Sequence, residues 1–359
     1  MSMHIVLTGG GSAGHVTPHL ALLPYFQEKG CTVEYIGSKT GIEKEIITEA
    51  GLPYHGISSG KLRRYFSLKN FSDPFRILGG YFEAKKILRK SKPDVLFSKG
   101  GYVSVPVVFA AHSLGIPVVM HESDYTPGLA NKLCLPKAEK ICFSFEAAAA
   151  EIPAEKAVVT GAPVRASLLS GSRSAGLAHL GFSGQKPVLL IMGGSLGALS
   201  VNIALDEIMD WLLEQFDVVH IRGNGKLNAE LNKRSGYVQY EYVSEGLEDI
   251  FAASDLMISR AGSNAIFELL ALRLPNLLIP LPLEASRGDQ ILNARYFEKM
   301  GYSDVLMQND ITPEVLKAHI TALCEHAPAM RAAMEQSPMA EGAKNVAQVI
   351  FEVAESHHA

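Results

Sequence analysis

Two α/β domains in tandem, each built on a parallel, doubly wound sheet, are what this sequence predicts. Three observations carry the prediction. Short β-branched runs alternate with helical stretches through the first half, the pattern of strand–helix–strand units. A glycine turn follows the first apolar run at "GGGSAGH" (9–15), and another follows a later run at "MGGSLGA" (192–198). Between them, residues 150–187 turn to Ala, Gly, Ser and Pro, a texture suited to an inter-domain connection.

Taken in order, "HIVLTG" (4–9) is a strand and "VTPHLALLPYFQEKG" (16–30) a helix, with Gly30 placed to end it. "TVEYIG" (32–37), "DVLFSKGG" (94–101) and "IPVVMHES" (116–123) are further strands. "PVLLIMGGSLGALSVNIAL" (187–205) restarts the cycle of strand, turn and helix, and "DVVHIRGNG", "DLMISRAGSN" and "LPNLLIPL" continue it. The boundaries expected are 1–162 for the first domain and 163–342 for the second. The last helix, 343–359, is expected to pack back on the first. A chain of 359 residues is comfortable as two domains of roughly 150–180 each.

Hydrophobic residues make up 47% and charged residues 19%, as in a well-buried α/β protein and not a disordered chain. The net charge is 33 minus 37, or −4, which argues against nucleic acid as a partner. Cys31, Cys134, Cys142 and Cys324 are scattered without metal-like spacing and read as reduced, cytoplasmic thiols. No signal peptide is visible, and the longest apolar run, "LPNLLIPLPL" (274–283), is broken by prolines. It falls short of the ~20 residues a bilayer-crossing helix needs. Any membrane contact would be made from the side.

Gly9, Gly11 and Gly14 match the dinucleotide-binding spacing G-x-G-x-x-G. That chemistry also wants a carboxylate at the tip of the second strand for the ribose. The tip here is Gly37-Ser38-Lys39, and Glu34 lies inside the strand. No nicotinamide or flavin cofactor is expected, and the turn is read as a cradle for an anion or a substrate. His15 follows the turn directly. A histidine at a helix start is held neutral by the positive end of the dipole and can take a proton from a hydroxyl. A plain capping or packing histidine is the alternative.

In the second half, Ser195 could offer its hydroxyl and N–H to a phosphate at a helix N-terminus. "SRAGSNAIFELLAL" (259–272) runs from a strand end into a helix carrying Glu268, a carboxylate suited to a vicinal diol such as ribose. Asp289, Gln290 and Asn293 have the character of sugar ligands. Segment 61–92 interleaves Lys61, Arg63, Arg64, Lys69, Arg76, Lys85, Lys86, Arg89, Lys90 and Lys92 with Tyr, Phe, Leu and Ile. It suits either docking on an anionic lipid surface or a helix with a buried stripe and a solvated basic face.

Together these stretches resemble the MurG family of bacterial glycosyltransferases, essentially end to end. The likeness rests on "GGGSAGHVTPHLAL", "SKGGYVSVPVV" (98–108), "HESDYTPGLANK" (121–132), "TGAPVR" (160–165), "MGGSLGA", "SRAGSNAIFE" and "RGDQILNA". The resemblance implies two Rossmann-like domains facing across a cleft, the GT-B glycosyltransferase fold. It implies transfer of N-acetylglucosamine from UDP-N-acetylglucosamine to the 4-hydroxyl of an undecaprenyl-linked muramyl-pentapeptide, with inversion, in peptidoglycan synthesis. On the family's pattern, Ser12, Ala13 and Gly14 lie near the donor, with His15 close to the reacting sugars. Arg165 and Ser195 would contact the diphosphate, Val243 the uracil and Glu268 the ribose. Ala261, Gly262, Ser263, Asn264, Asp289 and Gln290 would complete the donor site. Tyr102, His121, Glu122, Asp124 and Asn131 belong to acceptor-side motifs. Asp124 and Asp289 depart from the asparagine and glutamine common in relatives.

The implied mechanism is one in-line displacement. The base is His15, or a carboxylate brought in by domain closure, and Arg165 with the helix start at 194–197 steadies the departing diphosphate. With no D-x-D motif, neither metal nor cofactor is expected. The resemblance places the protein on the cytoplasmic face of the bacterial membrane, alongside other cell-wall synthesis proteins. Rival readings are a nucleotide-sugar epimerase of the same architecture and a non-catalytic module that binds nucleotide sugars.

Overall fold

The computed structural model describes residues 2–60, 73–150, 152–193, 198–286 and 288–357. The chain divides into two compact units, one of residues 1–165 with 341–359 and the other of residues 166–340.

The first unit opens with β1 (His4–Thr8), α1 (Thr17–Glu28), β2 (Thr32–Ser38), α2 (Ile42–Glu49) and β3 (Tyr54–Ile57). It continues through α3 (Asp73–Ser91), β4 (Val95–Ser98), α4 (Ser104–Ser113), β5 (Val118–Glu122) and α5 (Leu129–Cys134). β6 (Lys140–Phe143), α6 (Glu146–Ala149) and β7 (Ala157–Val159) follow. The second unit holds α7 (Arg173–Leu180), β8 (Val188–Met192), α8 (Leu199–Glu207), α9 (Met209–Gln215), β9 (Asp217–Ile221) and β10 (Tyr237–Tyr240). After these come α10 (Leu247–Ala253), β11 (Leu256–Ser259), α11 (Ser263–Leu272), β12 (Asn276–Leu278), α12 (Asp289–Lys299), β13 (Asp304–Val305) and α13 (Pro313–Glu335). The last helix, α14 (Gly342–Ser356), returns to the first unit.

Among the described residues the first unit has a seven-stranded sheet in the order β3-β2-β1-β4-β5-β6-β7, and the second a six-stranded sheet, β10-β9-β8-β11-β12-β13. Every strand pairing is parallel. Strands covered on both faces should read as continuous apolar runs, and β4 and β8 do so, as "VLFS" and "VLLIM". In the first unit, Ile5, Leu7, Val95, Phe97 and Val119 of the sheet pack with Leu22 and Phe26 of α1 and with Val346 and Ile350 of α14. In the second, Leu189, Ile191, Val218, Ile258 and Leu277 pack with Val201, Leu205, Leu316, Ile320 and Leu323. Each such side chain contributes about 1.5–3 kcal/mol by leaving water.

α14 lies against α1, β4, β5 and β6. Its first residue must be small, because a Cβ on Gly342 would stand 2.2 Å from the Ala162 carbonyl oxygen.

The strand order locates the crevices. In each sheet the chain reverses direction of build-out once, between β1 and β4 and between β8 and β11. Loops leaving the carboxyl ends of strands at such a point diverge and leave room for a ligand. The loops concerned are 9–16 and 99–103 in the first unit and 260–262 in the second, where the segment after β8 lies largely outside the described residues.

Candidate active site

The first crevice is built by two glycine loops that touch. Gly101 has φ +83°, and a Cβ there would stand 2.1 Å from the Gly10 carbonyl oxygen and 3.2 Å from Cδ2 of His15. Only glycine satisfies both demands. Residues 13–15 form a 3-10 turn ahead of α1, closed by the His15 N–H donating to the Ser12 carbonyl at 3.1 Å. Ser12 is exposed and His15 partly buried. Tyr102 is also partly buried, and its ring sits where a side chain on Gly11 would go.

The glycine turn does not hold its anion in the way its spacing suggests. Glu43 of α2 is fully buried and reaches back into the loop. It accepts from the Gly11 N–H at 3.3 Å, the Ser38 N–H at 3.1 Å and the Ser38 hydroxyl at 2.5 Å. The carboxylate that a dinucleotide site would want near the second strand is therefore present, contributed by α2 and spent on the protein's own amides. Glu43 takes up the Gly11 amide, one of the donors that a cradle for an anion or a substrate would offer.

His15 is neutral near pH 7, for a different reason from the helix dipole. Its pKa falls to about 4 because burial disfavours the charged ring, and the nearby Lys99 ammonium adds to the effect. Nδ1 is buried with no hydrogen-bond partner. Lys99 follows β4, is 1% exposed and is held by its N–H donating to the Thr8 carbonyl at 3.0 Å. Sequence reading missed it, since a lysine beside glycines looks solvated.

The end of β5, the loop after it and α5 carry the other residues expected on the acceptor side. Glu122, 3% exposed, accepts from Asn131 Nδ2 at 2.7 Å, from the Asp124 N–H at 2.9 Å and from the Gly128 N–H at 3.3 Å. Burial nonetheless pushes its carboxyl above the usual range. Glu122 thus organises the loop, and Asn131, also buried, locks it. His121 is fully enclosed, with Nε2 against the Gly161 carbonyl at 2.9 Å, so it faces backbone and not solvent. Asp124 is partly buried.

In the second unit, Ser195 lies outside the described residues, as does the rest of 194–197. The helix that follows is well anchored. Asn202 of α8 donates to the Arg222 carbonyl at 3.0 Å and meets His220 Nε2 at 3.0 Å. Arg222 forms a two-pronged pair with Asp206, both contacts at 2.7 Å. At the neighbouring loop, Arg260 of "SRAGSN" is buried and donates to the Ile279 carbonyl at 2.9 Å and to Gln308 at 2.7 Å. Ala261 is buried, its carbonyl accepting from Asn293 at 3.0 Å. Gly262 starts α11 with no side-chain cap. Ser263, Asn264 and Glu268 all lie on α11 and are partly buried. Asp289 and Gln290 open α12, and Gln290 accepts from the Leu281 N–H at 3.1 Å, which fixes the start of that helix. Val243 is buried beyond β10. Arg165, the last residue of the first unit's main segment, keeps a buried Nε without a hydrogen-bond partner.

Solved structures share this architecture. A crystal structure of Acinetobacter baumannii MurG is 25% identical, with TM-score 0.76 over 98% of this chain and 99% of that one. The glycosyltransferase of kitacinnamycin shares the fold at 17% identity and TM-score 0.70, over 99% of this chain and 100% of that one. Two parallel-sheet α/β units with crevices at their switch points thus define a glycosyltransferase of the GT-B type. The glycosyltransferase family 28 N-terminal domain matches residues 5–143 and its C-terminal domain residues 188–350, and the chain belongs to that family. A relative from Lachnospira eligens is 58% identical over 89% of this chain and 90% of its own length. One from Lachnoclostridium phytofermentans is 53% identical over 97% of this chain and 98% of its own. Both are named UDP-N-acetylglucosamine--N-acetylmuramyl-(pentapeptide) pyrophosphoryl-undecaprenol N-acetylglucosamine transferase.

Proposed function

We propose that this chain transfers N-acetylglucosamine from UDP-N-acetylglucosamine to the 4-hydroxyl of the muramyl sugar in undecaprenyl-pyrophosphoryl-muramyl-pentapeptide, forming a lipid-linked disaccharide for peptidoglycan. The observation that carries this reading is identity above 50% across nearly the whole chain to transferases of that name. A non-catalytic module would not need a neutral, partly buried His15.

In the proposed step the acceptor hydroxyl loses its proton to Nε2 of His15. Its oxygen bonds to the anomeric carbon from the face opposite the diphosphate, and the bond to UDP breaks, inverting the centre. A neutral ring is required at the start, and burial supplies it. Arg165 and residues 194–197 would meet the charge that develops on UDP. Glu268 would hold the ribose, Val243 the uracil, and Ser263, Asn264, Asp289 and Gln290 the remaining donor polar groups. Glu122, with Asn131, shapes the acceptor side. Incubation with the donor and a lipid-linked muramyl-peptide tests the reading: UDP release should require the acceptor.

The acceptor's lipid calls for a membrane surface, and α3 with α4 suits one. Ile77, Leu78, Tyr81, Val105, Pro106, Phe109 and Leu133 line an apolar groove of about 430 Å³. Phe75 and Phe82 are 77% and 61% exposed, and Arg76, Lys86, Arg89 and Lys90 stand open on the same helix. The basic–aromatic stretch 61–72 lies outside the described residues. Among the described residues no helix is long and apolar enough to cross a membrane. We read this face as docking on the anionic cytoplasmic leaflet. Co-sedimentation with vesicles should rise with anionic lipid and fall with salt.

A further inference from the structure

A cavity of about 480 Å³ lies in the first unit, within the ~300–1,000 Å³ usual for small-ligand sites, and the proposed step does not use it. Ile141 of β6, Leu135 just beyond α5, Ala148 of α6 and Ile152 line it. Its charged lining residues are two lysines, Lys132 of α5 and Lys156 ahead of β7, and no carboxylate is among the described residues that line it.

The cavity begins where the loop after β5 ends. Pro127 lines it and directly precedes Gly128, whose N–H donates to Glu122 at 3.3 Å. Asn131, one residue before Lys132, donates to the same carboxylate at 2.7 Å, and its Oδ1 lies where a side chain on Gly100 would go. α5 therefore sets Asn131 against the first crevice and Lys132 against the cavity. Lys156 sits further along. Its carbonyl accepts from the Ile141 N–H at 2.8 Å, which places it beside the amino-terminal half of β6. Its Nζ donates to the Ala138 carbonyl at 3.0 Å, a neutral partner that does not compensate the charge. Such a cavity suits an extended chain with small apolar contacts and a carboxylate to give the lysines.

We propose that this cavity is a subsite for the peptide of the acceptor, whose free carboxylate meets Lys132 and Lys156. The inference rests on the proposed transfer to a lipid-linked muramyl-pentapeptide. An extended pentapeptide reaches about 17 Å. β6 has four residues and spans about 13 Å, so a peptide entering beside Pro127 can follow the strand to Lys156. A lysine ammonium is a point charge and takes a carboxylate without demanding one orientation. The apolar groove of α3 and α4 meets α5 at Leu133 instead, so lipid and peptide leave the sugar by separate routes.

The test compares lipid-linked muramyl acceptors of one lipid length bearing a pentapeptide, a dipeptide or no peptide. The full-length protein is used as wild type, Lys132→Glu, Lys132→Arg and Lys156→Met. The wild type should favour the pentapeptide acceptor over the peptide-free one in kcat/KM by about tenfold or more, the worth of a hydrogen bond to a charged group. Lys132→Glu and Lys156→Met should erase most of that preference through KM, and Lys132→Arg should keep it. A wild-type kcat/KM that ignores the peptide would overturn the subsite, and it decides even where a variant fails to fold. Variants that slow all three acceptors alike would overturn it too, the pattern expected if the lysines meet lipid phosphate instead. UDP released equally with and without acceptor would count against the proposed function itself, and the subsite would fall with it.

Discussion

The Glu43 carboxylate and the Gly11 amide are hydrogen-bonded at 3.3 Å across 32 residues of sequence. That contact converts a turn with dinucleotide spacing into a rigid support for the residues that follow it, Ser12 to His15.

Replacing Glu43 by alanine leaves the Ser38 N–H and hydroxyl buried and unpaired and takes the acceptor from the Gly11 N–H. Stranding such groups costs about 1–3 kcal/mol each, so Glu43→Ala should lose roughly 2–4 kcal/mol in urea denaturation. Turnover should fall as well, because the loop carrying His15 loses its brace. A variant of unchanged stability would show that these bonds are not maintained in solution.

His15→Ala should lower kcat by about 10²–10⁴-fold, the usual contribution of a positioned base, while donor affinity stays within a few-fold. The pH profile carries the sharper prediction. With a pKa near 4, the ring remains neutral from pH 7 down to pH 5, so kcat/KM should show no acid limb at 6.5. A limb there would mean that His15 is solvated, or that another group is the base.

Acid should weaken the first unit in particular. His15 and His19 have pKa values lowered to about 4 and 3, and His121 is lowered too, all chiefly by burial. Below pH 6.5 the unfolded chain binds protons that the folded chain refuses, so stability is lost as pH falls from 6.5 toward 4. Three such groups give a slope of about 4 kcal/mol per pH unit near pH 5.5. Denaturant midpoints at pH 7.5, 6.5 and 5.5 measure it. Midpoints that do not change would contradict the burial of these rings.

Gly342→Ala should detach the last helix from its seat, since the new methyl meets the Ala162 backbone at 2.2 Å. Loss of several kcal/mol, and earlier proteolysis of the final helix, are expected. A variant as resistant as the parent would refute that packing.

Much of this was legible in the sequence where the signal is local. "HIVLTG" and "PVLLIM" announce buried parallel strands, and the glycine turns behind them mark strand–helix junctions. Motifs such as "SRAGSN" and "HESDYTPGLANK" carried the family. What was not legible depends on residues far apart in the chain. Glu43 reaches the first turn only because α2 packs over β2, and nothing in "GIEKE" hints at it. Lys99 reads as a surface residue until β4 is seen in the middle of a seven-stranded sheet. Arg260 hides a structural clamp inside a motif otherwise read for its small residues.

The most direct measurement follows labelled N-acetylglucosamine from UDP into the lipid-extractable fraction, using the purified protein and an undecaprenyl-linked muramyl-pentapeptide. The account predicts label in the lipid, equimolar UDP release, and near-complete loss of both in His15→Ala. Label that stays on the nucleotide with acceptor present, or UDP released equally without acceptor, would contradict it.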